Sequence, residues 1–404
     1  MTINILLTDN VILNGGDSAI LKGTFDVLNT LPKSNGFSYK VHCDYFDSAI
    51  NQYKDLPLNR SIQESVNLFP PRFFWRFSSI NRFVKYGPLT LSKAELEAFN
   101  DYKQADIVIT CGGSFLTDSY SLENTLLGYD VALNLKKPLY LVGQSIGPFT
   151  SEIKKEEVAI RLRKMDKILV RDHKSYLEAL DMGCSVDSLY EAKDMAFNIS
   201  TKVTNKTLDE DNLTIGISVR KWTFPYDSQL DRDKKYENYI SSMRELVNSL
   251  VDKYNANIVF VSTCQGDESY KFHDNKVAEE ITAGLSRDTK ERVTINSTFM
   301  TPEVFMSEVE KLDVFIGTRM HACILALLKN IPTINICYEF KSAELFESMD
   351  LGNFVHDINQ VEPIKIIENI SLIFSQYDEI KSNIFMKIAE FKEINRKAIH
   401  EVFE

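Results

Sequence analysis

Short apolar runs separated by amphipathic stretches recur along the whole chain. The runs with the length and residue types of buried strands are "INILLT" (3–8), "DIVIT" (106–110), "PLYLVG" (138–143), "KILVR" (167–171), "LTIGISV" (213–219), "NIVFVS" (257–262), "DVFIG" (313–317) and "PTINIC" (332–337). Near-continuous apolar strands that alternate with helical segments are typical of parallel sheets covered by helices on both faces. The pattern therefore predicts an α/β fold built from parallel sheets.

A polar stretch near the middle of the chain divides these runs into two sets. Residues 200–212, "STKVTNKTLDEDN", show no apolar periodicity, which is typical of a linker between domains. The chain of 404 residues is also long for one core, because domains usually hold about 100 to 200 residues. We therefore predict two Rossmann-like domains facing a cleft, residues 1–205 and residues 206–375.

The end of the chain carries a different periodicity. Apolar residues recur every three to four positions from Ile380 to Val402, which predicts one long amphipathic helix within residues 376–404. Its apolar stripe needs a partner, and packing back on the N-terminal domain would provide one.

Charge and cysteine usage narrow the class of protein. The 57 acidic residues outnumber the 46 lysines and arginines, and the net charge of -11 argues against a nucleic-acid partner. The first basic residue is Lys22 and no apolar run is long enough to span a bilayer, so we expect a cytoplasmic protein without a secretory signal. The six cysteines have neither CxxC nor zinc-ligand spacing, and we expect reduced thiols, no bound metal and no cofactor.

An aromatic and basic tract stands out in the first half, "FPPRFFWRFSSINRFVKYG" at residues 69–87. Such a tract can lie against a membrane surface or a lipid-linked ligand, which would place the protein at the inner face of the cell membrane. It can equally be a packed helix whose arginines extend to water. The sequence leaves both interpretations open.

Candidate binding loops follow the predicted strands of the first half. In open α/β sheets, ligands bind beyond the carboxyl ends of the strands, where "NGGDSA" (14–19), "CGGSF" (111–115) and "QSIGPF" (144–149) are found. The first loop opens a helix whose backbone amides favour an anion, or it is a turn in which Asp17 caps the helix. The candidate ligand contacts in these loops are Asn14, Gly16, Asp17, Gly113, Ser114, Gln144 and Ser145.

The second half supplies positive charge at strand ends. Arg220 ends the first strand of this half in "SVRKW", where its planar guanidinium can fork onto a carboxylate. In "IGTRMHA", Arg319 and His321 follow a strand and open a helix, which makes an anion site with a proton donor. A surface arginine and a histidine bonded within the core are the alternatives. Further polar residues at strand ends in this half are Thr318, Glu339 and Lys341.

Taken in order, these segments resemble the polysaccharide pyruvyl transferase family. The resemblance runs from about residue 5 to residue 345 through "NGGDSAI", "CGGSF", "GQSIGPF", "VRDHKS", "KDMAF", "ISVRKW" and "TRMHACILAL". It implies a fold of the two-Rossmann, GT-B-like type and the transfer of pyruvate from phosphoenolpyruvate to sugar hydroxyls as a ketal, in surface polysaccharide biosynthesis. It also implies that Arg220 and Arg319 hold the donor and that His321 acts in proton transfer.

Together, residues and resemblance give one site hypothesis. The donor phosphoenolpyruvate is expected on Arg220, Arg319, Thr318 and Lys341, and the sugar acceptor, free or lipid-linked, on Asn14, Gly16, Asp17, Gly113, Ser114, Gln144, Ser145 and Glu339. His321 and Asp17 are the expected catalytic residues. Two other classes of protein remain open: a glycosyltransferase that uses a nucleotide sugar, and a non-catalytic protein that binds a glycan or a lipid carrier.

Overall fold

The computed structural model describes residues 2–67, 92–118, 120–203, 206–224 and 228–404. The aromatic and basic tract at residues 69–87 lies outside these described residues. Contacts between Cα atoms divide the chain into two compact units. Unit 1 is Met1–Leu13, Asp17–Ile199 and Phe391–Glu404, and unit 2 is Asn14–Gly16 and Ser200–Glu390.

Unit 1 contains a seven-stranded parallel sheet in the order β3-β2-β1-β4-β5-β6-β7. Its strands are β1 Ile3–Asn10, β2 Phe37–Cys43, β3 Leu58–Arg60, β4 Ile107–Cys111, β5 Leu139–Gln144, β6 Lys167–Val170 and β7 Leu189–Glu191. The helices between them are α1 Gly15–Leu28, α2 Phe46–Gln52, α3 Ile62–Asn67, α4 Lys93–Gln104, α5 Leu122–Asn134, α6 Glu152–Leu162 and α7 His173–Asp181.

Unit 2 contains a six-stranded parallel sheet in the order β10-β9-β8-β11-β12-β13. Its strands are β8 Thr214–Ser218, β9 Asn257–Phe260, β10 Val293–Ile295, β11 Val314–Gly317, β12 Thr333–Cys337 and β13 Val355–Asp357. The helices are α8 Gln229–Tyr254, α9 Asp274–Ala283, α10 Arg287–Lys290, α11 Pro302–Val309, α12 Met320–Leu328, α13 Phe340–Ser348 and α14 Pro363–Ser375, followed by α15 Tyr377–Phe403.

The predicted α/β class and parallel sheets are confirmed, because every predicted apolar run forms a strand paired in parallel. The long C-terminal helix is also present as α15. The last part of this helix belongs to unit 1, where the Phe391 ring packs edge-on against Phe197 with centroids 5.1 Å apart. Within the described part of the chain, no helix has the length and apolarity that crossing a membrane requires.

Each sheet has one point where the strand order reverses. In unit 1 the chain leaves β1 for β2 and β3 on one side and resumes with β4 on the other, and in unit 2 the same reversal separates β8 from β11. Ligands of open α/β sheets bind beyond the carboxyl ends of the strands at such a switch point. The residues that follow these strands are therefore the candidates for ligand contacts.

Candidate active site

Thr318 forms hydrogen bonds across the switch point of unit 2, between the ends of β8 and β11. Its backbone N–H and its hydroxyl both donate to the carbonyl oxygen of Ser218, at 3.0 and 3.1 Å. These bonds tie the end of β8 to the residue after β11, and so they fix the segments that carry Arg220 and Arg319 side by side. Thr318 is fully buried and holds the two strand ends together; its contact with the donor stays a prediction.

Arg319 is engaged by a partner that the sequence does not reveal. Its Nε and Nη2 donate to Oδ2 and Oδ1 of Asp274 at 2.9 and 2.7 Å, and Phe272 covers the guanidinium with its ring centroid 5.2 Å away. Asp274 also accepts from the Ser262 hydroxyl at 2.5 Å. Burial opposes the charge, but the Asp274 carboxylate outweighs it and keeps the pKa of Arg319 well above its ordinary value.

Arg220 has aromatic neighbours instead of a carboxylate. Its guanidinium carbon lies 4.1 Å from the ring centroid of Tyr338, 5.1 Å from that of Trp222 and 6.0 Å from that of Phe272. Its Nε is buried without a hydrogen-bond partner, and Arg220 forms no ion pair with any described residue. A buried donor left unbonded costs free energy. We call Arg220 the open cation of the switch point, because its positive charge has no carboxylate partner among the described residues.

His321 stands in the first turn of α12, against the loop Asn14–Gly16. A Cβ added to Gly16 would lie 2.5 Å from His321 Nδ1, so only glycine fits this approach. The loop is held by two bonds: the Gly15 amide donates to Thr263 O at 2.8 Å, and the Gly16 amide donates to Asn14 Oδ1 at 2.9 Å. The backbone of one segment thus fixes the position of the imidazole.

These bonds change two expectations for the "NGGDSA" loop. Its first two helical amides are already bonded within the fold, so they are not the anion site that the pattern favoured. The capping oxygen comes from Asn14, whereas Asp17 occupies the third position of α1 and belongs to unit 1. Glu339 and Lys341 lie at the start of α13, directly after Tyr338, and Glu339 is exposed.

A second polar cluster lies at the carboxyl edge of the unit 1 sheet, centred on Arg171. This buried side chain donates from Nε to the Ser145 hydroxyl at 2.8 Å, from Nη1 to Asp194 Oδ2 at 2.6 Å and from Nη2 to the Ser114 hydroxyl at 2.5 Å. Ser145 in turn donates to Asp172 at 2.6 Å. The structure therefore brings together the predicted residues of the second and third loops.

Gln144 completes this cluster. It ends β5 fully buried, and its Nε2 donates to Ser145 O at 3.0 Å while its Oε1 has no hydrogen-bond partner among the described residues. The carbonyl of Gly113 accepts from the Ser145 amide at 3.0 Å, which joins the ends of β4 and β5. Gln144 Oε1 is therefore a buried acceptor without a bond, on the residue whose carbonyl accepts from the Arg171 amide at 3.3 Å.

Sequence reasoning missed Arg171 and Asp274 as site residues. For Arg171 the signal was present, since an arginine ending an apolar strand is the same feature that singled out Arg220. Its neighbour Asp172 caps α7 by accepting from the Ser175 amide at 2.8 Å. For Asp274 no motif exists, because its partner Arg319 is distant in sequence.

Two parallel-sheet α/β units, each with a polar cluster at the carboxyl edge of its sheet, define a two-Rossmann protein of the GT-B-like type. Solved structures with a similar fold include UDP-GlcNAc 2-epimerase from Neisseria meningitidis bound to UDP-GlcNAc, with a TM-score of 0.58, 12% identity and 100% of both chains covered. Anabaena Alr3699/HepE in complex with UDP-glucose has a TM-score of 0.53 at 12% identity, covering 99% of this chain and 96% of that one.

The family is more specific than the fold. The polysaccharide pyruvyl transferase model matches residues 14–339, and the chain belongs to this family. A curated relative is the amylovoran biosynthesis protein AmsJ of Erwinia amylovora, 25% identical over 427 residues, which cover 97% of this chain and 96% of that protein. The resemblance seen in the ordered motifs is thereby confirmed.

Proposed function

We propose that the protein transfers pyruvate from phosphoenolpyruvate to sugar hydroxyls as a ketal, during the synthesis of a surface polysaccharide. Family membership and a relative named for amylovoran biosynthesis support this function. The observation that carries it is Arg220, an open cation with a buried, unbonded Nε at the switch point of unit 2.

Phosphoenolpyruvate suits this arrangement because it carries a carboxylate and a phosphate close together. Arg220 is the main anion ligand in our proposal, since no carboxylate of a described residue pairs with it. Arg319 donates from Nε and Nη2 to Asp274, which holds its guanidinium in place. In our proposal its Nη1 group donates to the phosphoenolpyruvate. Each charge-assisted hydrogen bond contributes about 1.5–3 kcal/mol, enough for two or three to hold the donor in an acidic protein. Lys341 adds charge near the start of α13.

The reaction needs controlled proton movement. A sugar hydroxyl attacks C2 of phosphoenolpyruvate while C3 gains a proton, phosphate then leaves, and a second hydroxyl closes the ketal. His321 is the proposed proton donor to C3, because it lies two residues after Arg319 in sequence and Gly16 fixes its ring. Asp17 is the second catalytic candidate.

For the sugar acceptor we propose the Arg171 cluster of unit 1. Gln144 Oε1 is a buried acceptor, and a sugar hydroxyl that donates to it would relieve the cost of leaving it unbonded. The hydroxyls of Ser114 and Ser145 are held in place by Arg171. The other residues proposed on the acceptor side are Asn14, Gly16, Asp17, Gly113 and Glu339.

Phosphate release is the test of this function. The protein is incubated with phosphoenolpyruvate and a panel of free and lipid-linked sugars, with UDP-glucose and UDP-GlcNAc in parallel reactions. Release of phosphate that depends on one sugar, together with a pyruvylated product of the expected mass, supports the proposal. Release of UDP instead would identify a glycosyltransferase, and binding without turnover would identify a non-catalytic glycan-binding protein.

Arg319→Lys tests how the donor is gripped. Lysine keeps the positive charge but cannot form the two-point hydrogen bond with Asp274. We therefore expect the Kd for phosphoenolpyruvate to rise at least tenfold, which corresponds to about the free energy of one charged hydrogen bond. The free energy of unfolding should fall by about 1–3 kcal/mol, because one buried carboxylate oxygen loses its donor. Calorimetry and urea denaturation measure the two effects. An unchanged Kd would remove Arg319 from the donor site.

Gly16→Ala tests the placement of His321. The added methyl group overlaps the imidazole, so the ring must move and kcat should fall by roughly tenfold or more. Gly352→Ala is the matched control, because its Cβ would meet only Glu347, with Cγ at 3.3 Å and Cα at 3.8 Å. Both variants are assayed by phosphate release. Equal rates in the two variants would contradict the tight approach between Gly16 and His321.

A further inference from the structure

At the carboxyl end of β1 in unit 1, an acidic residue interrupts the regular strand. The pairing of β1 with β2 shifts register between Leu7 and Asn10, and Asp9 within this segment has a φ of 63°, in the left-handed region. Residues other than glycine rarely adopt this backbone conformation, although aspartate and asparagine tolerate it better than most. Bulges of this kind redirect a side chain. The irregular backbone at this point therefore sets the direction of the Asp9 carboxyl group.

This carboxyl group lies at the switch point of the unit 1 sheet, between β1 and β4. Asp9 Oδ2 accepts from the Thr110 hydroxyl at 2.5 Å across the switch point, and from Thr8 at 3.4 Å. Oδ1 accepts from Gln63 Nε2 at 3.1 Å. All of these donors are neutral, and Asp9 forms no ion pair within the described part of the chain. The carboxyl group is therefore oriented without a countercharge.

Among the described residues, the titratable groups that interact with Asp9 are acidic or neutral. Asp44 follows β2, Cys111 ends β4, Tyr102 lies on α4 and Tyr129 lies on α5. Burial raises the pKa of Asp9 to about 7, with Asp44 adding to the rise and the Thr110 hydrogen bond opposing it. Asp9 as a whole residue is only partly buried, so part of it is open to solvent. A carboxyl group of this kind can exchange a proton at neutral pH.

We propose that Asp9 binds a hydroxyl group of the sugar acceptor and takes its proton as the hydroxyl oxygen attacks C2 of phosphoenolpyruvate. The inference rests on the proposed function and adds a base that lies outside residues 14–339, the range that the family model matches. It places one acceptor hydroxyl at the switch point of unit 1, with Thr110 and Gln63 holding the carboxylate that receives it.

The proton balance is complete. The sugar O–H bond breaks, its electron pair forms the new C2–O bond, and the proton moves to a carboxylate oxygen of Asp9. Of the two hydroxyl protons released per ketal, one is matched by the proton gained at C3 and the other by the proton gained by the departing phosphate. Asp9 returns to its charged form by passing its proton to water.

Asp9→Asn tests this role. Asparagine has the same shape and tolerates the left-handed backbone, so the fold should persist. We expect kcat/KM for the acceptor to fall by roughly 10²-fold or more, with the Kd for phosphoenolpyruvate unchanged. In the wild type, kcat/KM should rise as the pH passes through about 7, because the base acts when deprotonated, and this limb should vanish in Asp9→Asn.

Two neighbouring variants separate a base from a structural residue. Asp44→Asn removes a negative charge that raises the pKa of Asp9, so the limb should move to lower pH. Thr110→Val removes the hydrogen bond that lowers the pKa, so the limb should move to higher pH. Phosphate release by wild type with no sugar at all would defeat the proposed function. An active wild type whose limb stays fixed in both variants, or is kept in Asp9→Asn, would overturn the role of Asp9 alone.

Discussion

Replacing His321 with glutamine is expected to lower kcat by roughly 10²-fold or more while the Kd for phosphoenolpyruvate stays close to that of wild type, because general acid catalysis contributes about this much. Glutamine preserves a polar side chain of similar reach but cannot deliver a proton. The donor remains held by Arg220, whose aromatic setting does not include His321. The loss should therefore appear in the chemical step.

The measurement combines phosphate release with calorimetry of donor binding. His356→Gln is the matched control: that histidine lies on β13, bonded to Asn369 at 2.7 Å, away from the switch point. A near-normal kcat in His321→Gln, with only a raised KM for the donor, would make His321 a binding residue.

Removing the open cation should have the second large effect. In Arg220→Met, we expect the Kd for phosphoenolpyruvate to rise by roughly 10²-fold or more, because about 1.5–3 kcal/mol is lost with each charged hydrogen bond. The same change of charge at the next position, Lys221→Met, provides the control, since Lys221 is exposed. Equal donor affinities in these two variants would exclude Arg220 from the site.

The pairing of Arg220 with Arg319 can be measured in the same assay. If both hold one ligand, the losses in Arg220→Met and Arg319→Lys should be far from additive in the double variant. Calorimetry of all four proteins closes the cycle. Losses that simply sum would mean that the two arginines act on separate ligands.

Apolar runs were sufficient to predict the central strands, because those strands are buried on both faces. The strands that escaped prediction have other patterns. β2 alternates half-buried and exposed residues in its first half, and β3, β7, β10 and β13 are only three residues long. Such strands depend on a neighbouring strand for their pairing, and a local pattern does not contain that neighbour.

The candidate site could be predicted as a set of strand ends, but not as a set of contacts. "TRMH" placed Arg319 correctly at a strand-to-helix junction, yet an arginine fork looks the same whether it meets a ligand or Asp274. The approach of Gly16 to His321 joins segments far apart in the chain. The sequence did not indicate Asp9 as a site residue, because its carboxyl group is oriented by Thr110 and Gln63, which lie near it only in the folded sheet.

The last turns of α15 have a consequence for fragments and chimeras of this family. Asn395 is fully buried in unit 1, where its Oδ1 accepts from the Lys193 amide at 2.7 Å and its Nδ2 donates to Asp194 O at 3.3 Å. Asp194 is the residue that binds Arg171. A gene fragment ending at Ile199 would therefore encode the unit 1 sheet but lack Asn395, whose hydrogen bonds hold the segment that carries Asp194. In exchanges of halves between relatives, Phe391–Glu404 must come from the same parent as the first half.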